Sequence, residues 1–535
     1  MTKLFYPDFF NDVFGPIMQP GSSSSFGGTS RVGRIARATL KSEPARARIL
    51  FNPSDRHMRV LGNMMDDRAY LGGLQGFATD DIRLFTAHEE ARARGISYEF
   101  AELDADAAEP GSVTFELTGK GGDTATLTAR SIGGGMVKTY FIHGFPVEWQ
   151  ADSNAVLAWG DEATLRRAGE HFAQKRDDVL DIRFVTDDLG RTAGFYEFTN
   201  APELRELDVV FDGTEYRFFP ALLPVVTIKH RKPQLFSTVE EWREVARQRK
   251  ISFVQAAIEY EKGFSGWTDG QIWAYFERIN DIFDAQVHSL ERMGYNNAAD
   301  TPNLPIYGKA WNRYLMSGGA LEDDLTQHII THAMATNAKV PGVLIVPGPM
   351  GTGGGYLYSA LSAVAENIGA SHERVIESLI VAAGLGAIAF THCDASGGSG
   401  CVGESGICCA MGSGAVTHLA GGDGVQVERA ASMALQANIG IPCDPIPGGR
   451  EFPCITRTIR AAVTMPLYAD MALCGMDPII PYHEMLLAVK RHKAVASRAC
   501  LHDGVNVCPS ACRCADFLSG ELMADKLKYE SNTGI

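Results

Sequence analysis

A chain of 535 residues is long enough for three or four domains, and 45% hydrophobic with 21% charged residues is the composition of a globular protein. A formal net charge of −15 argues against a nucleic-acid partner, because binding phosphates needs a basic surface. No stretch approaches the roughly 20 apolar residues of a membrane span, and the acidic amino terminus does not suit a signal peptide, so a cytoplasmic protein without a membrane partner is expected.

The first 150 residues are predicted to form an α+β domain. A low-complexity turn, PGSSSSFGGTS, precedes a basic helical segment, RVGRIARATL. Such a turn can present hydroxyls and backbone N–H groups to an anion, because a helix start is electropositive; a flexible linker is the alternative. Beyond it, strands such as SVTFELTG alternate with helices such as DDIRLFTAHEEARARG.

Residues 151–230 suit a small βαββ-type module. The segment contains the apolar run NAVLAWG, the helical pattern DEATLRRAGEHFAQK and strand patterns near DIRFVTD and GFYEFTN. Pro233 and a basic cluster in HRKPQLFS then mark a boundary with the next domain.

Residues 231–496 are predicted to be mainly helical, because segments such as TVEEWREVARQRK carry apolar residues at helical spacing. Ser371 is expected to cap a helix that reaches about His392 and buries the apolar run Leu379–Phe390. The segment VPGVLIVPGPMGTGGGYL can wrap a small ligand or form a tight turn between helices. It lacks the endings of a P-loop and of a dinucleotide fingerprint.

All eleven cysteines lie in the last third of the chain, from Cys393 onward. In a reducing compartment such clustering points to metal binding or catalysis rather than to disulfides. Cys401 follows ASGGSG at a predicted helix start, where a thiol pKa falls, and Cys443 and Cys454 share a loop rich in Pro and Gly. This stretch has no CxxC or HxxxH pair of the kind usual in structural zinc sites, so an iron–sulfur centre is favoured.

Three cysteine ligands, where a four-iron cluster can take four, would leave one iron open as a Lewis acid, which favours chemistry over electron transfer. The cysteines on predicted helices are interpreted instead as buried, inert thiols. These are Cys408, Cys409 and Cys474.

The residues resemble the iron–sulfur-dependent L-serine dehydratases (L-serine ammonia-lyases), in the form with α and β parts. The α-part pattern GCQxEvG is matched by Gly400–Gly406, and CDPvxGlvxvPCxxRN by Cys443–Arg457. The β-part pattern VxGPSSSHTxGAxRIGRxAR aligns with Phe14–Arg37, and its SIGGG recurs at Ser131–Gly135. The chain thus resembles a fused polypeptide: a β-like domain (1–150), a degenerate ACT-like α+β module (151–230), a mainly α-helical, α-like cluster-binding catalytic domain (231–496) and a Cys-containing tail (497–535).

The resemblance implies a 4Fe-4S cluster held by Cys401, Cys443 and Cys454, with an open iron that binds the carboxylate and hydroxyl of an amino acid substrate. Loss of water from L-serine, or from a related 3-hydroxy amino acid, would give aminoacrylate, which decays to pyruvate and ammonia. A homodimer acting on this small molecule is expected. Cys508 in the tail is a candidate fourth ligand, and a surface thiol is the alternative.

Two positions depart from the family's pattern: Ser25 stands where a histidine is expected, and Met64 replaces a second histidine. A pocket holding Phe26 and Met64 would suit a bulkier or less polar 3-hydroxy or 3-thiol amino acid. Substrate contacts are expected from five residues. These are Ser23, Ser24, Ser25, Thr352 and Asn337.

Glu404 and Asp67 are the candidates for the catalytic base, although an acidic side chain beside a helix start can simply be a cap. Two other functions stay open. One is a lyase of the cysteine desulfidase type, in which the open iron takes sulfide from cysteine. The other is a catalytically inactive iron–sulfur sensor of redox state or iron on the same scaffold.

Overall fold

The computed structural model describes residues 6–55, 57–59, 61–62, 64–107, 109–226, 234–295, 307–348, 353–395, 399–441 and 452–495, with only the backbone at 59 and 452–454. The chain divides into two compact units. One consists of Ser23–Lys232, and the other combines Met1–Ser22 with Pro233–Ile535. The predicted fold class is confirmed: α+β regions with mixed sheets are followed by a mainly helical region.

The α/β unit begins with a six-stranded sheet in the order β2-β1-β3-β4-β5-β6, in which only the β1–β2 pair is parallel. Its strands are β1 (Pro44–Phe51), β2 (Ser97–Glu102), β3 (Val113–Gly119), β4 (Thr124–Gly133), β5 (Met136–Ile142) and β6 (Phe145–Trp149). Its helices are α1 (Thr29–Thr39), α2 (Asp66–Leu74) and α3 (Ala87–Ala93). Helices α1 and α2 touch through Gly33 and Gly73, because a Cβ on Gly33 would lie only 2.9 Å from Cα of Gly73.

A second, four-stranded sheet completes this unit in the chain order βαββαβ. Its elements are β7 (Asn154–Trp159), α4 (Glu162–Lys175), β8 (Val179–Thr186), β9 (Thr192–Phe198), α5 (Leu204–Val210) and β10 (Glu215–Phe219). The sheet order β10-β7-β9-β8 is antiparallel throughout. The predicted βαββ module is therefore extended by one helix and one strand, which produces the split βαβ arrangement.

The other unit is helical. Its helices are α6 (Val239–Arg249), α7 (Phe253–Ser265), α8 (Asp269–Val287), α9 (Ser289–Met293), α10 (Gly308–Met316), α11 (Asp324–Ala338), α12 (Gly353–Ile368), α13 (His372–His392), α14 (Ser405–Leu419), α15 (Gly424–Asn438), α16 (Phe452–Leu473) and α17 (Tyr482–Val495). Among the described helices, α13 alone is long and apolar enough to cross a membrane, and 78% of its most apolar stretch is buried inside the protein. The Ser371 side chain caps α13 by accepting from the Arg374 N–H, as predicted.

The amino-terminal segment packs within the helical unit. The Phe9 N–H donates to the buried carboxylate of Glu261 at 2.8 Å, and the Phe9 ring stacks on Tyr260 with 5.4 Å between centroids. Met18 forms an antiparallel bridge with Ile345. Residues 6–22 thus complete the helical core, although they are far from it in sequence.

Candidate active site

Cys401 lies just ahead of α14, close to the predicted helix start. It begins a short 3₁₀ turn, Cys401–Gly403, and is buried. Gly400 before it has φ +83°, in the left-handed region that favours glycine. The Cys401 Sγ lies 3.0 Å from the Ser405 hydroxyl, which itself donates to the Cys401 carbonyl. The turn therefore holds the thiol in a fixed position at the electropositive end of α14.

The first turn of α12 lies beside the first turn of α14. The Cys408 Sγ donates to the carbonyl oxygen of Gly353, the first residue of α12, at 3.0 Å. Close packing requires the glycines of this turn, since a Cβ on Gly354 would lie 2.4 Å from the Val346 carbonyl oxygen. The glycines at 353–355 thus serve close packing, and the predicted turn at 349–352 lies outside the described residues.

Helices α14 and α16 run parallel. Cys409 Sγ approaches the Ala461 carbonyl at 3.6 Å, and one turn further on Gly412 packs against Met465, so both contacts advance in the same direction. The amino-terminal ends of the two helices therefore lie at the same end of the bundle. The backbone of Cys454, in the first turn of α16, is consequently at about the level of the turn before α14.

Asn337 lies in the last turn of α11 and contacts the first turn of α12 through Tyr356. Its Oδ1 accepts from the Tyr356 hydroxyl, while its Nδ2 is buried without a hydrogen-bond partner among the described residues. An unpaired buried amide costs about 1–3 kcal/mol, so it points to a ligand. Both amide atoms of the buried Gln286 on α8 are likewise unpaired within the described ranges.

Glu404 occupies the N-cap position of α14, but its side chain does not cap the helix in the described part of the chain. It is partly buried and makes other interactions. The alternative that this carboxylate is only a helix cap is therefore not supported. Its backbone N–H donates to the Cys401 carbonyl at 3.2 Å, so Glu404 closes the turn that Cys401 begins.

The serine-rich turn of the α/β unit, Ser23–Gly28, forms a single π-helical turn that leads into α1. The Ser131 hydroxyl donates to the Ser24 carbonyl at 2.9 Å, so the turn lies against the SIGGG segment of β4. Phe26 is fully buried and stacks on Phe85 with 5.6 Å between centroids. The Phe26 ring thus packs inside the α/β unit.

Two adjacent aspartates at the start of α2 each bind an imidazole. Asp67 Oδ2 lies 2.8 Å from His88 Nε2, and Asp66 Oδ2 lies 2.6 Å from His57 Nε2. Burial opposes ionisation of Asp67, but the hydrogen bonds from His88 and from the backbone outweigh it and lower the Asp67 pKa below its ordinary value. Sequence reasoning missed both histidines, because 21 residues separate Asp67 from His88 and no local motif joins them.

Three other cysteines behave as buried thiols. Burial raises the pKa of Cys393 to about 12, and it also raises the pKa of Cys408 and of Cys409. Cys474 was expected to be buried on a helix, and this expectation is wrong: it is exposed, one residue beyond the end of α16. The local apolar pattern overestimated the length of that helix.

Several predicted site residues lie outside the described part of the chain. These are Thr352, Cys443 and Cys508. Of the remaining predicted residues, Cys401, Glu404, Asn337 and Cys454 belong to the helical unit, and Ser23, Ser24, Ser25 and Asp67 belong to the α/β unit. Cys454 lies in the first turn of α16 and not in the predicted loop.

The chain is similar to known proteins over both of its halves. Residues 238–500 match the family model described as serine dehydratase alpha chain. A probable L-serine dehydratase alpha chain of Bacillus subtilis (strain 168) is 27% identical over 257 residues, which are 48% of this chain and 85% of the relative. A probable L-serine dehydratase alpha chain of Latilactobacillus sakei is 31% identical over 169 residues, 31% of this chain and 81% of the relative.

The chain also matches a second kind of subunit, a beta chain. The probable L-serine dehydratase beta chain of Bacillus subtilis (strain 168) is 34% identical over 184 residues, which are 34% of this chain and 82% of the relative. One polypeptide thus carries similarity to both an alpha and a beta chain.

Proposed function

This chain belongs to the L-serine dehydratase family, as a fused β–α polypeptide, and we propose on that basis that it eliminates water from L-serine. The aminoacrylate formed would decay to pyruvate and ammonia. The observation that carries the proposal is the set of helix starts that meet near Cys401, with the unpaired amide of Asn337 beside the first turn of α12. Aligned helix starts attract an anion such as the carboxylate of an amino acid.

We propose a 4Fe-4S cluster as the resident cofactor, with Cys401, Cys443 and Cys454 as its ligands. The described residues fit such a group. Cys401 is a buried thiol in a rigid turn, and the parallel packing of α14 and α16 brings the backbone of Cys454 to the same end of the bundle. When bound, a cluster with one open iron supplies a Lewis acid for the departing hydroxyl.

The chain's own residues would bind and orient the substrate. The amide of Asn337 can donate to the substrate carboxylate, because Tyr356 already occupies its oxygen and leaves Nδ2 available. The N–H groups in the first turn of α12 have no partners within the helix and can donate to the same anion.

Glu404 is the better candidate for the base that removes the Cα proton. A general base works best when its pKa lies near the operating pH. The lowered pKa of Asp67 makes that carboxylate a weak proton acceptor, and its hydrogen bond to His88 already uses one oxygen. Glu404 lies three residues after Cys401, and its side chain does not cap α14.

The test is an anaerobic preparation on which iron, acid-labile sulfide and substrate turnover are all measured. We expect release of pyruvate and ammonia from L-serine, and loss of both iron and turnover in Cys401→Ser. Cys474→Ser is the matched control, since Cys474 is exposed and lies beyond α16. Sulfide release from L-cysteine without activity on serine would replace the proposed reaction with desulfuration. A full cluster with no turnover of any hydroxy or thiol amino acid would refute the enzymatic proposal.

A further inference from the structure

Three histidines and a glutamate meet where α8, α11 and α12 come together in the helical unit. His288 follows the last residue of α8, His328 and His332 lie on α11, and Glu366 lies near the end of α12. His328 and His332 are spaced as HxxxH, which places them on one face of a helix. We propose that His288, His332 and Glu366 bind one divalent transition-metal ion of the zinc class, with His328 or water as the fourth ligand.

The spacing of the ligand atoms is suitable. One ligand atom from each of His288, His332 and Glu366 lies within 4.8 Å of the others. The His288 Nε2 is 3.6 Å from Glu366 Oε1, and His328 Nε2 is 3.3 Å from Glu366 Oε2. Ligands of a tetrahedral zinc ion with bonds near 2.0–2.1 Å are about 3.3 Å apart. Small side-chain movements would therefore close the site around an ion.

The hydrogen bonds of both imidazoles leave the same nitrogen available. His288 Nδ1 lies 2.9 Å from the Asp284 carbonyl, so it must carry the proton and donate. His332 Nδ1 lies 2.9 Å from the Ser362 hydroxyl, whose own proton goes to the Tyr358 carbonyl. Ser362 therefore accepts from His332 Nδ1–H. In each ring the Nε2 lone pair remains for a metal, which is the usual way that protein partners orient metal-binding histidines.

Burial distinguishes the cluster from an ordinary surface ion pair. His332 is only 2% exposed. A charged imidazole is costly to bury, whereas a neutral imidazole is the form that binds a metal.

A metal at this position would join three helices that shape the candidate active site. Asn337 follows His332 by five residues on α11, about 7.5 Å along the helix axis. The ion would thus stabilise the packing of α11 against α8 and α12 without touching substrate. This inference does not depend on the reaction proposed above.

The test is a titration of the full-length, cluster-loaded protein with Co²⁺, followed by displacement with Zn²⁺. We expect one Co²⁺ per chain with the visible absorption of nitrogen and oxygen ligands and no thiolate charge-transfer band. Glu366→Gln and His288→Gln should each weaken binding at least tenfold with iron and sulfide contents unchanged. The side chains of Glu366 and His288 are more exposed than that of His332, so replacing them should disturb folding less than replacing His332.

His372→Gln is the matched control. His372 pairs with Glu277 at 2.6 Å on the surface of the same unit, but this pair belongs to no candidate ligand group among the described residues. The control should bind Co²⁺ like the wild type. The inference is overturned if the wild type takes up no Co²⁺ at tenfold excess, if the bound ion shows only thiolate ligation, or if Glu366→Gln and His288→Gln bind as the control does.

Discussion

Replacing Gly355 with alanine tests how tightly the first turn of α12 is held. A Cβ at this position would lie 2.6 Å from Gln286 Oε1 on α8 and 2.7 Å from Thr336 Cγ2 on α11. Non-bonded heavy atoms pack best at about 3.5–4.0 Å, so the Gln286 and Thr336 side chains, or the helices that carry them, would have to move by roughly 1 Å. The variant therefore acts directly on the packing that presents Asn337.

The expected cost follows from two opposing effects. Overpacking a well-packed core typically costs about 1–3 kcal/mol, whereas alanine gains up to about 1 kcal/mol over glycine in a helix. Gly355→Ala should therefore lower the free energy of unfolding by about 0–2 kcal/mol. Gly263 in α7 is the matched control, since no described atom comes within 4 Å of the added Cβ. There the same substitution should stabilise by about 0.4–1 kcal/mol.

The assay compares denaturant midpoints of the two variants by far-ultraviolet circular dichroism, with kcat/KM for L-serine measured on the same anaerobic samples. A shift of about 1 Å at a substrate-orienting residue can cost roughly 100-fold in rate, so kcat/KM should fall in Gly355→Ala and stay near wild type in Gly263→Ala. Equal midpoints and equal activities in the two variants would refute the close packing around Gly355 and its role in orienting Asn337.

Three further outcomes are expected. Cys408→Ser should keep its iron while Cys401→Ser loses it, because the Cys408 thiol is already used inside the helical unit; equal iron content in the two variants would contradict the ligand assignment. His88→Gln should raise the pKa of Asp67. The stability that ionised Asp67 contributes above its unfolded pKa is lost as pH falls through the folded pKa, so the acid-unfolding midpoint should move to higher pH. Burial, with a lesser contribution from a nearby arginine, lowers the pKa of His418 to about 3. Stability should therefore fall by roughly 1.4 kcal/mol per pH unit as pH drops below about 6.5, and His418→Gln, followed by denaturant titration at pH 7 and 5, should show a shallower loss.

The parts of the fold that sequence predicts well are those set by neighbouring residues. Ser371 accepts from the N–H three residues ahead and starts α13, as its position before an apolar run predicts. Helix caps and apolar periodicity act over one or two turns, so they can be read without knowing the fold. The placement of Cys401 ahead of α14 was predictable for the same reason.

Contacts between distant parts of the chain could not be predicted in this way. The Phe9 N–H pairs with Glu261 across 252 residues, and His332 meets Ser362 across two helices. Neither segment carries a local sequence pattern that identifies the residue it contacts. The exposure of Cys474 was missed for a related reason. The residue at which α16 ends depends on the helices packed against it and not only on its own apolar residues.

The start of α2, in the α/β unit, holds two imidazoles. Met64 replaces a histidine of the family's pattern, yet the two aspartates that follow it, Asp66 and Asp67, bind His57 and His88. The region therefore keeps two imidazoles beside the substituted position, although neither occupies it. Phe26 is fully buried against Phe85, so it does not by itself require a larger substrate. The case for a bulkier amino acid then depends on Met64 alone, and L-serine remains the substrate that we propose.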